Sequence, residues 1–184
     1  MAGEGETDGP TGAAASMSFT AVGHVVADFD DPGHAPIQAR RAADTTARVE
    51  VYPPFRSGLI GLDGFDYAIL LTHLDRPVPP RPDPESWLVV PFLLADRGTE
   101  VGVFATRHPS RPNPIGISLV RVVAVDADGF DFAGVDVVDA TPVIDIKPWV
   151  PAFDTPPEPP TSIRSGWYDE PVLGRPGTSP EELA

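Results

Sequence analysis

The sequence predicts an all-β fold with minor helix, a small antiparallel β-barrel, and three observations lead there. Twenty-four prolines and seventeen glycines in 184 residues interrupt the chain too often for long helices, because proline removes a backbone donor and clashes with the preceding turn. Between these breaks lie short runs rich in β-branched residues, the composition of strands. No ten-residue helical pattern separates the runs, which argues against a doubly wound α/β sheet.

The runs follow one another along the chain. FTAVGHVVA (19–27), ARVEVY (47–52), YAILLTHL (67–74), WLVVPFLL (87–94), TEVGVFAT (99–106), ISLVRVVAVD (117–126), FDFAGVDVV (130–138) and TPVIDI (141–146) each read as a strand. Val120, Val122 and Ala124 alternate with Leu119, Arg121 and Val123, the period of a half-buried sheet, and DADG (126–129) is a compact turn signal. A meander or closed barrel follows.

Composition divides the chain into three parts. Residues 1–16 have no large apolar side chain after Met1; they cannot bury enough surface to offset the entropy of ordering and are expected to be disordered. Residues 17–154 form one domain-sized body. From Pro151 the composition becomes PAFDTPPEPPTS, and residues 155–184 form a proline-rich, extended tail. Trp167 and Tyr168 make an apolar island in that tail. It is expected to dock loosely or not at all, the alternative being that it folds over a partner subunit or a site mouth.

Charge and composition narrow the function. The net charge is −14, which opposes non-specific nucleic-acid binding, since phosphate contacts need cations. Half of that excess lies in the tails, so a locally basic face remains open to the body. The absence of cysteine excludes disulfides, thiolate metal sites and a cysteine nucleophile. His24, His34, His73 and His108 lack metal-ligand spacing, so no metal is expected. No run approaches the length of a membrane span and no secretion signal opens the chain, so a soluble, cytoplasmic protein is expected. Neither a glycine-rich dinucleotide loop nor a phosphate loop occurs.

Two stretches carry candidate chemistry. GVFATRHPSRPNPIGIS (102–118) interrupts a strand with three prolines while presenting Arg107, His108, Arg111 and Asn113. Stiff loops beside a sheet are where binding residues concentrate. Its two arginines either clamp a carboxylate by paired hydrogen bonds or face solvent. DATPVIDIKPW (139–149) is the second stretch, and its Lys147 is the only lysine beside twelve arginines. A solitary lysine is either a chance surface residue or a site that requires a compact ammonium.

GVFATRHPSRPNPIGIS and DVVDATPVIDIKPWVPAFD together resemble the two signature stretches of the TsaA-like, or tRNA methyltransferase O, family. The resemblance runs from about Phe19 to Asp154. It implies a β-barrel that binds S-adenosyl-L-methionine, a homodimer with the cofactor near the subunit boundary, and methylation of the exocyclic amine of threonylcarbamoyl-adenosine in tRNA. Carried over by position, it places cofactor contacts on Ala39, Arg40 and Arg41, on Asp75 and Arg76, on Arg107, on Ile117, and on Ala133, Gly134, Val135 and Asp136. Arg107 would serve the cofactor carboxylate and Asp136 its ribose or ammonium. Acceptor-side candidates are Arg111, Asn113, Asp145 and Lys147. Asp145, Lys147 and Asn113 form the catalytic set, with Asp145 the candidate base, although an acid beside Lys147 also reads as a purely structural pair.

The sequence departs from the family pattern at three places. Ile37 replaces an arginine, Asp75 stands where a histidine is usual with His73 two residues earlier, and Ala140 replaces the glycine before Thr-Pro-Val. An alternating strand would put His73 and Asp75 on one face. Alanine disfavours positive φ, so the turn at Ala140 is expected to be reshaped. Two acceptor classes remain: tRNA, which predicts a basic patch of Arg40, Arg41, Arg48, Arg107 and Arg111, and a small metabolite, which predicts a closed pocket. A non-catalytic cofactor-binding module is the third reading.

Overall fold

The computed structural model describes residues 16–28, 30, 45–76, 86–159 and 162–169. Six strands make one antiparallel sheet: β1 (Gly23–Val26), β2 (Thr46–Val51), β3 (Tyr67–His73), β6 (Ile115–Val125), β7 (Gly129–Ala133) and β8 (Pro142–Pro148). Their order is β1-β2-β7-β6-β3-β8, and β8 returns to β1 to close the barrel. The closing seam is short, with two paired positions, Gly23 with Val143 and His24 with Pro142. It is reinforced by the Val22 amide donating to the Val143 carbonyl at 2.8 Å and the Val25 amide donating to the Thr141 carbonyl at 3.0 Å.

Alternation decides what lies inside. Val25, Val49, Ala68, Leu70, Val120, Phe130, Phe132 and Val143 are fully buried and fill the interior. Two irregular segments supply further core residues. The 3-10 turns Pro53–Leu59 and Leu62–Gly64 bring in Leu59 and Leu62, and the stretch after β7 brings in Val135 and Val137. Two bulges, between Leu71 and Thr72 against β8 and between Val122 and Ala124 against β7, bend the sheet as closure requires. The DADG turn behaves as its composition demands: the Asp126 carboxylate accepts the amides of Asp128 at 2.9 Å and Gly129 at 3.0 Å.

Four expected strands are shorter than their hydrophobic runs, the first being 19–27, which yields only β1. The 87–94 run yields only β4 (Leu88–Val89), because Pro91 supplies no donor and opens a 3-10 turn over Phe92–Arg97 that Gly98 ends at φ 58°. The 99–106 run yields β5 (Val101–Gly102), which pairs with β4 outside the main sheet, and then a second 3-10 turn, Val103–Ala105. The 130–138 run stops at Ala133 because Gly134 turns left-handed at φ 92°. A four-residue helix, α1 (Pro151–Asp154), follows β8, and the Asp154 carboxylate accepts the Val150 amide at 2.6 Å.

Two local expectations also fail. Ala140 holds φ 60° rather than reshaping its turn, because three hydrogen bonds fix it: the Ala140 amide donates to the Val25 carbonyl at 2.8 Å, and both the amide and the hydroxyl of Thr141 donate to the Val138 carbonyl at 3.3 and 2.6 Å. His73 ends β3, and the Asp75 amide folds back onto the His73 carbonyl at 2.9 Å. Strand alternation therefore does not extend from His73 to Asp75.

Candidate functional site

Antiparallel closure collects one set of strand ends at a single rim: the ends of β1, β3 and β7 and the starts of β2, β6 and β8. Asp75 and Arg76 follow β3 there, and Ala133, Gly134, Val135 and Asp136 end and follow β7. The loop carrying Arg107, Arg111 and Asn113 leads into β6 at the same rim. Ile117 lies two residues inside it on β6. Ala39, Arg40 and Arg41, with Ile37 and His34, fall outside the described residues.

The rim is tied by backbone-directed bonds. The Gly134 amide donates to the Thr45 carbonyl at 3.1 Å, joining the end of β7 to the start of β2. Arg76 donates through Nη1 to the Asp30 carbonyl at 2.9 Å and through Nη2 to the Asp139 carbonyl at 2.8 Å. The Asp139 carboxylate accepts the Ala27 amide at 3.1 Å. Arg76 therefore stitches rim segments together. Asp136 is half-buried, and its Oδ1 accepts the Ser118 hydroxyl at 2.6 Å. Just beneath, the Thr72 hydroxyl is buried without a hydrogen-bond partner among the described residues. A Cβ on Gly116 would meet that hydroxyl at 2.5 Å, so glycine there leaves it room.

The arginine-bearing loop is held by its own polar atoms. Thr106 is buried; its hydroxyl donates to the Val103 carbonyl at 2.8 Å and accepts the His108 amide at 3.1 Å. His108 Nδ1 accepts the Ser110 amide at 3.1 Å, and Arg111 Nη1 donates to the Thr106 carbonyl at 3.3 Å. Desolvation, with the Arg111 charge adding to it, lowers the His108 pKa below its ordinary value. The ring is thus a neutral acceptor at neutral pH. Arg107 is exposed.

Asp145 and Lys147 lie elsewhere. They pair with Leu71 and Ile69, whose strand neighbours Leu70 and Ala68 point inward, so both project from the outer face. Lys147 Nζ meets Asp145 Oδ2 at 2.6 Å, while Asp145 Oδ1 accepts the Ile146 amide at 2.9 Å. Both carboxylate oxygens are engaged. Asn113 lies in the bend before β6, its carbonyl accepting the Ile115 amide at 2.8 Å, and Ile115 pairs with His73, two positions beyond the Leu71 that faces Asp145. Asp145 and Lys147 thus pair with each other on the outer face, while Asn113 belongs to the loop that leads into β6. Asp145 instead borders an open cleft of about 500 Å³ toward the opposite end of the barrel, lined by Val22, Phe55, Leu59, Leu62, Phe65 and Ile146 among others.

The expected basic patch loses one member. Arg48 is bound by Asp126 at 2.7 Å and Asp131 at 3.0 Å, so its charge is spent locally. Sequence reasoning missed Ser118 and Thr72, and it gave Trp167 only as part of an island expected to dock loosely or not at all. Ser118 carried a readable signal, a hydroxyl at an inward position of an otherwise apolar alternation. Thr72 follows an apolar run and carried little. Trp167 donates through Nε1 to the Ala105 carbonyl at 2.9 Å, so the tail island docks on the loop that carries the arginines rather than remaining loose.

Comparison with known proteins places this geometry among relatives. A family model described as the tRNA-methyltransferase O N-terminal domain matches residues 24–155. A probable S-adenosyl-L-methionine-binding protein of Pyrococcus abyssi is 38% identical over 156 residues, covering 85% of this chain and 78% of that protein. A tRNA (adenine(37)-N6)-methyltransferase of Eikenella corrodens is 39% identical over 82 residues, 39% of this chain and 47% of that one. The crystal structure of TrmO from Pseudomonas aeruginosa superposes with a TM-score of 0.67 at 30% identity, covering 85% of this chain and 65% of the other.

Proposed function

The chain belongs to the family of the tRNA-methyltransferase O N-terminal domain, and from that premise we propose that it is an S-adenosyl-L-methionine-dependent methyltransferase acting on the exocyclic amine of a tRNA adenosine, threonylcarbamoyl-adenosine in particular. The observation that carries the reading is the gathering of Asp75, Arg76 and Ala133 to Asp136 at one rim beside the loop of Arg107 and Arg111. The names of the relatives from Pyrococcus abyssi and Eikenella corrodens support the cofactor and the acceptor respectively.

The rim residues fit such a cofactor. A carboxylate needs a cation, which Arg107 supplies, and an ammonium or ribose diol needs an acceptor, which the half-buried Asp136 supplies. The unpartnered Thr72 hydroxyl marks hydrogen-bonding capacity beneath the rim that folding alone leaves unused. When bound, S-adenosyl-L-methionine supplies an electrophilic methyl group on a sulfonium. The chain's part is to bind and orient, since positioning supplies much of the rate of such displacements. Arg111 and Asn113 lie on the acceptor-side loop, and Asp145 with Lys147 would reach an acceptor only from the outer face.

That separation favours a homodimer in which the outer face of one chain approaches the rim of another. The outer face of β3 and β6 carries Tyr67, Leu71, Ile115, Ile117 and Leu119, all at least partly exposed. A stripe of this kind marks an interaction surface. A small metabolite is the second reading of the acceptor; it calls for a closed pocket, whereas the cleft bordered by Asp145 is open. Methyl transfer from labelled S-adenosyl-L-methionine into tRNA with and without threonylcarbamoyl-adenosine, and into a small-molecule extract, separates the two. Label in the modified tRNA is expected; label only in the extract would transfer the assignment to the metabolite.

A further inference from the structure

The Trp167 indole is a donor only, and its Nε1–H meets the Ala105 carbonyl across 62 residues of sequence. The contact is prepared from both sides. On the tail, Gly166 holds φ 62°, a conformation glycine adopts without a Cβ penalty. The Tyr168 amide closes that turn onto the Ser165 carbonyl at 3.2 Å. Tyr168 then stacks on Trp167 with ring centroids 3.8 Å apart and planes 23° apart, which restricts where the indole can point. On the loop, Ala105 directly precedes Thr106, whose hydroxyl accepts the His108 amide and whose carbonyl accepts Arg111. Anchoring the Ala105 peptide thus anchors the start of the network that runs to Arg111.

We infer that Trp167 is a positioning residue: the tail returns as a brace that fixes the 105–111 loop, and with it the guanidinium groups of Arg107 and Arg111, before any ligand arrives. The inference rests on the reading of that loop as cofactor-binding. Its physical basis is preorganisation. A loop ordered only on binding spends part of its interaction free energy on that ordering, and a brace removes the cost in advance. The expected signature is a weaker grip on the cofactor with the chemical step intact once the site is filled.

Trp167→Phe in the full chain keeps the aromatic stack and removes the donor. Three readouts decide the matter. Amide hydrogen exchange over 105–111 is expected to quicken while exchange in β3, β6 and β8 is unchanged; no change in the loop would overturn the brace. Cofactor Kd by calorimetry and KM in turnover are expected to rise about 3- to 10-fold, the size of one hydrogen bond, with kcat at saturating cofactor retained. Faster loop exchange with unchanged Kd would reduce Trp167 to a structural contact and overturn the positioning role. Arg107→Ala run alongside separates the two layers of argument. If it too leaves Kd unchanged, the cofactor reading of the loop fails and the inference falls with it. If Arg107→Ala weakens binding while Trp167→Phe does not, only the brace is wrong.

Discussion

Single residues here hold conformations and protonation states that their neighbours impose. Ala140 sits at φ 60°, where an L side chain costs roughly 1–2 kcal/mol, and the bonds from Ala140 and Thr141 keep it there. Ala140→Gly removes that strain while giving the unfolded chain more freedom, worth ~0.4–1 kcal/mol in the other direction. A net stabilisation of about 0.5–1 kcal/mol is expected in urea titration, and destabilisation would show that the methyl group packs usefully. His108 is the second case. Its Nδ1 can accept the Ser110 amide only while unprotonated, and burial and the Arg111 charge lower its pKa from 6.5. Because the folded value lies below the unfolded one, the contribution is fully present above pH 6.5 and is lost as pH falls through the folded value. The ring protons of His108 should titrate below 6.5 in NMR, with Ser110 amide exchange accelerating over the same range. A midpoint at or above 6.5 would contradict the geometry.

Strands show why part of the fold was legible in the sequence. Where β-branched residues alternate without interruption, as in YAILLTH and ISLVRVVAV, the expected and observed strands agree within two residues. Where they do not agree, the hydrophobic run continues but the backbone cannot. Pro91 opens a 3-10 turn in the first case and Gly134 turns left-handed in the other, and apolar periodicity carries no information about either event. The placement of one part of the candidate site was legible for the same reason: Ala133 to Asp136 lie where β7 ends. Arg76, expected as a cofactor contact, proves to hold two backbone carbonyls; the register that brings Asp30 and Asp139 to it is a long-range property. Close approach of strands gives an element-scale test. A Cβ on Gly129 would strike the Val49 carbonyl, a backbone atom that cannot rotate aside, in the ladder where Gly129 opposes Glu50. Gly129→Ala should cost about 1–3 kcal/mol, read by chemical denaturation, with the β2–β7 amides losing exchange protection first. A neutral outcome would mean that this seam is looser than its register implies.

For the whole molecule, charge and exposed apolar surface must be reconciled with the RNA substrate proposed above. The chain carries −14, and Arg48 is neutralised by Asp126, whose carboxyl is lowered to about 2 chiefly by its hydrogen bond with that guanidinium. Among the described residues the loop leading into β6 carries Arg107 and Arg111, with Arg40 and Arg41 outside them. Two to four phosphate contacts give log–log salt slopes of only about −2 to −4, far shallower than a broad basic face would produce. Under the proposed tRNA reading, recognition of the acceptor base therefore has to supply what electrostatics does not, and a composite site between two chains is one way to supply it. The outer-face pairs Ile69–Leu119, Leu71–Ile117 and His73–Ile115 put an apolar stripe beside Asp145 and Lys147, and Leu119 is 46% exposed on it. Solvent gains by covering that stripe, whereas the remainder of the surface, rich in acids, repels a second copy. Sedimentation at micromolar concentration should therefore give twice the chain mass. Leu119→Asp, which buries an unpaired charge in any such contact, should give a folded monomer with an unchanged circular dichroism spectrum and greatly reduced turnover. A monomeric wild-type protein with full activity would separate the acceptor site from the outer face and return Asp145 and Lys147 to a surface ion pair worth ~1 kcal/mol or less.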